Sequence, residues 1–168
     1  MPAPAPGSTD DVLFYSPLQP VVQALSGTLS PNAITVLGIM PSALVVVAIV
    51  ERRVALALLA FILRYAFDCL DGSVARETNQ TSEFGAWLDW TVDSILTVAI
   101  VAALAATYTN VNPLVAGAAV TILLPCATHV INTPHVHNNL FLCEALPLLG
   151  ALLLGEYSIR RRARGSCA

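Results

Sequence analysis

Four aspartates, Asp68, Asp71, Asp89 and Asp93, lie within the string DCLDGSVARETNQTSEFGAWLDWTVD of an otherwise apolar chain. A carboxylate in apolar surroundings is costly. Near a bilayer centre each is disfavoured by about 3 kcal/mol, so four together cost about 10 kcal/mol. Packing gives no reason to keep such a cluster, whereas a metal site does. At about 100° per residue, Asp68, Asp71, Gly72 and Ala75 fall in one stripe of a helix, and Gly85, Asp89 and Asp93 in one stripe of the next. Two antiparallel helices joined by the polar loop ETNQTSE would bring these stripes face to face near one membrane surface. Carboxylates that close cannot all stay ionised without cations. The all-oxygen donor set calls for hard divalent ions, Mg²⁺ or Mn²⁺ ahead of Ca²⁺.

The neighbouring residues extend this chemistry. Gly72, Ala75 and Gly85 leave the acidic faces without bulk, so an extended ligand can reach the metals. Arg76 adds a planar fork of donors suited to a phosphate or diphosphate. Metals, an arginine and a cleft at a membrane surface together describe phosphoryl transfer, which needs charge neutralisation on the phosphate and a base for the attacking hydroxyl.

The elements that must hold these residues are helices in a membrane. The chain has 168 residues, of which 56% are hydrophobic and 11% charged. Its mean hydropathy is +0.72. Soluble domains carry about 25% charged residues, so the expected fold class is all-α, a polytopic helical bundle with about five to six transmembrane helices and an N-terminal interfacial helix. Residues 1–10 read as a disordered lead-in, 11–157 as the membrane domain and 158–168 as a basic, solvated tail. Residues 11–29 are too short and broken to span and fit an interfacial segment. Ser30-Pro31-Asn32 supplies cap chemistry ahead of a first helix at 33–50, with a bend expected near Pro41. Further helices are expected at 54–76, 84–107, 113–131 and 140–155. The chain has no lysine, and its arginines gather at 52–53 and 160–164, so no basic face exists for nucleic acid. Cys69, Cys126, Cys143 and Cys167 lack metal-ligand spacing and read as buried thiols.

The string resembles the signature of the CDP-alcohol phosphotransferase family, D-x-x-D-G-x-x-A-R, about eight residues, then G-x-x-x-D-x-x-x-D. Here Asp68, Asp71-Gly72, Ala75-Arg76, eight residues, Gly85, Asp89 and Asp93 fill every required position. The resemblance covers about residues 12–131. It implies a multi-pass membrane enzyme of phospholipid synthesis that cleaves the diphosphate of a CDP-alcohol, releases CMP and joins the substituted phosphate to an acceptor hydroxyl. It further implies that Asp68, Asp71 and Asp89 hold two divalent ions with Asp93 beside them, and that Gly72, Ala75, Arg76 and Gly85 form the cytidine and diphosphate site. Asp93 is taken as the general base.

The acceptor is less determined. After Asp93 no lysine or arginine follows until Arg160, which disfavours a phosphorylated acceptor. Asp93-Ser94 and the entry Ser30-Pro31-Asn32-Ala33-Ile34-Thr35 look like choline- and ethanolaminephosphotransferases, whose acceptor is diacylglycerol. Asn79-Gln80, Phe84-Gly85-Ala86 and Leu88-Asp89 look like phosphatidylinositol synthases, whose acceptor is inositol. The family usually has six or more spans and five are legible here. A homodimer is left open.

Two readings of another class stand beside the enzyme: a divalent-cation transporter, in which intramembrane carboxylates also cluster, and an inactive relative that binds nucleotide or lipid. His129, His135 and His137 read as loop polarity near Pro134 rather than ligands, with His129 a candidate for the acceptor pocket. Glu144 reads as reaching the interface, and Trp87 and Trp90 as an aromatic belt. Arg64 is expected to pair with an acid or face the bundle interior, with phosphate handling as the other reading. On a five-helix count the arginines at 52–53 and 160–164 share the side opposite the aspartates, so the positive-inside rule places the site away from the cytosol. The resemblance places it facing the cytosol, in the endoplasmic reticulum or a bacterial plasma membrane. The substrate argument outweighs this modest arginine bias.

Overall fold

A computed structural model describes residues 6–108 and 140–165. The expected helix at 113–131 and His129, His135, His137, Cys126 and Cys167 lie outside the described residues, as do the side chains of Cys143 and Glu144. Within the described residues every regular element is helical. A π-helical turn, Asp11–Tyr15, runs into α1, Ser16–Leu25. Then follow α2, Pro31–Val50, α3, Val54–Glu77, α4, Glu83–Tyr108, and α5, Leu140–Gly165.

The entry to α2 follows its cap chemistry. Ser30 is the N-cap, its hydroxyl accepting from Ala33 N at 3.3 Å, with Pro31 at the first helical position where no N–H is needed. The helix continues through Pro41, whose ring nitrogen has no hydrogen to give the Leu37 carbonyl, while the Ser42 hydroxyl bonds the Gly38 carbonyl at 2.7 Å.

Both tight reversals use the same C-terminal motif. After α2, Arg52 takes φ 58°, with Arg52 N donating to Ile49 O and Arg53 N to Ala48 O. After α3, Asn79 takes φ 53°, with Asn79 N donating to Arg76 O and Gln80 N to Ala75 O. These paired bonds close a helix around one left-handed residue, a position asparagine tolerates well and arginine less so. The second reversal sets α3 and α4 antiparallel, which the site requires.

One core joins α2, α3, α4 and α5 through Val45, Ile49, Phe61, Ile100, Leu104 and Leu152. At its lower end the Tyr108 hydroxyl donates to Glu156 of α5 at 3.2 Å. Small residues (Ala48, Ala57, Ala60, Ala103, Ala151) are buried in this core and let the backbones approach. The outer faces stay apolar: Met40 is 73% exposed, Leu59 64%, Ile95 66% and Val98 61%. Among the described residues two helices, α2 and α4, are long and apolar enough to cross a membrane.

Two parts of the chain differ from the expectation. The lead-in is not wholly free of structure: Thr9 and Asp10 are helical, Asp10 is buried, and the Tyr65 hydroxyl donates to it at 2.9 Å. Phe14 packs edge-on to Tyr65 beside it, and Val22 of α1 packs with Ile34, Leu70 and Val74, so the N-terminal segment lies against α3. The expected end of the fifth helix near 155 is also too early. α5 runs to Gly165 through the arginines, which are good helix formers and favoured near a helix C-terminus.

Candidate active site

The four aspartates of the sequence motif line one small cavity between α2, α3 and α4, together with Thr35, Gly38, Ser42, Arg64, Phe67 and Val92. Carboxylate oxygens of Asp68, Asp89 and Asp93 lie within 4.8 Å of one another. Oxygens around an octahedral Mg²⁺ sit about 3 to 4 Å apart, so a shift of under roughly an ångström would close these three on one ion. The donor set therefore fits a hard divalent cation. Asp71 is turned elsewhere: it is buried and accepts from the Thr35 hydroxyl at 2.5 Å. The four acids thus face one cavity, but three of them form the close group and the fourth is tied to α2.

Above this floor the cavity opens into a mouth of about 90 Å³. Pro31, Asn32, Gly72, Ala75, Arg76, Gln80, Thr81, Ser82, Gly85 and Ala86 line it, and Thr35, Asp71 and Asp89 are shared between mouth and floor. All four residues expected at the nucleotide site are therefore in the mouth. Gly85 sits where Ser82 caps α4, its amide donating to the Ser82 hydroxyl at 3.0 Å. A side chain at Gly85 would meet Asn32 Oδ1 and Ser82 Oγ at 3.1 Å. Gly72 is similarly covered, with the Arg76 guanidinium 3.3 Å from where a Cβ would stand.

Arg76 is held from two sides. Its Nη2 donates to Ser73 Oγ at 3.1 Å, and its guanidinium carbon lies 5.5 Å from the centre of the Tyr15 ring. Burial, first of all, raises the Tyr15 hydroxyl well above the usual phenol range, so it stays neutral beside the arginine. At the opposite end of the cavity Arg64, buried, donates through Nη2 to Asp93 Oδ1. The expected pairing with an acid holds, and the acid is the last aspartate of the motif.

Sequence reasoning missed the part played by α2. Asn32, Thr35 and Ser42 reach the cavity from α2, whose entry was read as cap chemistry and as a likeness to choline- and ethanolaminephosphotransferases but not as part of the site. The available signal was the i, i+3 spacing of Asn32 and Thr35, polar positions on one face of an apolar helix. Trp87 and Trp90 are 59% and 45% exposed, on the outside of α4 rather than in the cavity.

Fold and site together define a class: an all-helical bundle with apolar outer faces, enclosing an aspartate cluster beneath a small, glycine-lined mouth. Residues 28–137, more than half of the chain, match the CDP-alcohol phosphatidyltransferase family, and the chain belongs to that family. A stretch of 77 residues, 45% of this chain, is 38% identical to an uncharacterized protein of Aquifex aeolicus (strain VF5) and covers 39% of that relative. The chain thus matches about two fifths of that relative's length. The aspartate cluster is one that could hold a metal ion.

Proposed function

We propose that this chain is a multi-pass membrane enzyme that transfers a substituted phosphate from a CDP-alcohol to an acceptor hydroxyl and releases CMP. The observation that carries the reading is the convergence of Asp68, Asp89 and Asp93 beneath a mouth kept open by Gly72 and Gly85. In this reading Asp68, Asp71, Asp89 and Asp93 hold two divalent ions, Mg²⁺ or Mn²⁺. Such ions would neutralise the diphosphate as negative charge moves to the leaving CMP. Arg76 grips the diphosphate with its fork of donors, and the backbone around Gly72, Ala75 and Gly85 admits the cytidine end. Asp93 takes the acceptor's proton as its oxygen bonds to the phosphorus distal to the cytidine and the bond to CMP breaks.

Membrane embedding is supported by length and surface. At 1.5 Å per residue α3 is about 36 Å long, enough for a hydrocarbon core of about 30 Å. Its outward Leu59, like Met40 on α2 and Ile95 and Val98 on α4, is exposed, as lipid contact requires. Arg52 and Arg53 lie at the α2–α3 turn. Glu156, one turn before Arg160, meets Tyr108 at the far end of α4, so both arginine groups lie opposite the mouth. A cytosolic mouth remains our reading on the substrate argument.

For the partner, we favour a lipid. An apolar groove of about 350 Å³ between α2 and α4, including Ile39, Val46, Ile95 and Ala99, shares Ser42 and Val92 with the acidic floor. An acyl chain there would leave its head group at the aspartates. This suits diacylglycerol as acceptor, with CDP-choline or CDP-ethanolamine as donor, and equally CDP-diacylglycerol as donor with inositol. The test is purified protein with Mg²⁺ or Mn²⁺, offered each of these pairs. The expected result is metal-dependent CMP release with one pair. Cation flux into liposomes without CMP release from any pair would replace the reading with transport.

A further inference from the structure

Arg64 stands one helical turn before Asp68 on α3, at the end of the cavity away from the mouth. It is 5% exposed, lies 6.0 Å from the centre of the Phe61 ring, and is ion-paired with Asp93. It lines the floor with all four aspartates and is absent from the mouth, where Arg76 is the arginine present. A buried guanidinium is held by such partners, and a buried carboxylate without a cation is strongly disfavoured. Arg64 therefore supplies a fixed positive charge inside a group of acids that could hold metal. Its Nη2 donates to Oδ1 of Asp93, and a carboxylate oxygen of Asp93 lies within 4.8 Å of carboxylate oxygens of Asp68 and Asp89.

We propose that Arg64 is a positioning residue with a second role: it orients Asp93 for proton transfer and limits the negative charge that the cluster presents to divalent ions. A protein cation beside a metal site repels the metal and weakens its binding. Charge is thus balanced at the floor before any ion arrives, and the ions that bind are held less tightly than four bare aspartates would hold them. Arg64 does not line the mouth that would take the donor.

The test uses the full chain in nanodiscs, with Mn²⁺ binding followed by electron paramagnetic resonance in the absence of any donor. Arg64→Gln and Arg64→Met both remove the charge, and folding of either one suffices. Each is expected to bind Mn²⁺ about tenfold more tightly than the native protein. Arg64→Lys, which keeps the charge, should restore native Mn²⁺ affinity to within about threefold. Unchanged or weaker Mn²⁺ binding in a folded charge-removed variant would overturn the proposal, as would Arg64→Lys matching those variants. The kinetic arm rests on the transferase reading. There the charge-removed variants should lose about a hundredfold in kcat with the donor KM held. A raised donor KM at native kcat would mean that Arg64 contacts the phosphate and would overturn the positioning role. Because the Mn²⁺ arm needs no turnover, it decides the charge-limiting role even if no CDP-alcohol is a substrate.

Discussion

The mouth and the floor of the cavity are built from opposite materials. The mouth has glycines, two alanines, short polar side chains and a guanidinium braced against a neutral phenol. The floor has aspartates, an arginine buried on one of them, and the apolar walls of Phe67 and Val92. A mouth of this kind suits recognition, since small residues admit a ligand's backbone and a guanidinium takes its charge. The floor suits reaction, since its charges are desolvated and oppose one another. Asp71 and Asp89 belong to both, so they are where recognition and reaction would be joined.

The comparison is broken most severely at the floor. Asp93→Asn keeps shape and removes the proton acceptor, and should cost about a thousandfold in kcat while donor KM changes little. Rate assays across donor concentration check this, and a mainly KM-borne loss would move Asp93 into the recognition half. Removal of divalent ions with EDTA should abolish CMP release, with recovery on adding Mn²⁺.

Substitution in the mouth should give the reverse pattern. Gly85→Val forces a branched side chain against Asn32 and Ser82. Donor KM should rise about tenfold or more, while Mn²⁺ affinity stays native by the same resonance titration. Thr35→Val removes the hydroxyl from Asp71 and, at the boundary, should affect both quantities by about tenfold each.

The smallest effect is expected outside the cavity. Tyr65→Phe removes the hydrogen bond to Asp10, worth about 1 kcal/mol. Hydrogen exchange should speed up in residues 10–25, with CMP release nearly unchanged. Exchange unaltered there would mean that Tyr65 does not hold the N-terminal segment.

How far the sequence carried this picture follows from which forces act locally. Ends of α2, α3 and α4 were legible within about two residues, because Ser30-Pro31-Asn32 starts a helix, the polar loop ETNQTSE stops one, and apolar runs of spanning length fill the intervals. Facing stripes of aspartates followed from helical period and the short loop. The bond from Thr35 to its acid, and the role of Asp10 as a buried acid, were not legible. Each is defined by a partner 36 or 55 residues away, Asp71 and Tyr65, and helical period carries no information about such a partner. Arg64 lay between the two cases. Its burial demanded an acid, but only the packing of α3 and α4 on α2 selected Asp93.

An anomalous-difference map of Mn²⁺-loaded crystals would test the central claim most directly. The account predicts density bounded by the carboxylates of Asp68, Asp89 and Asp93. Manganese bound only at other residues, in protein that still releases CMP in a metal-dependent manner, would contradict it.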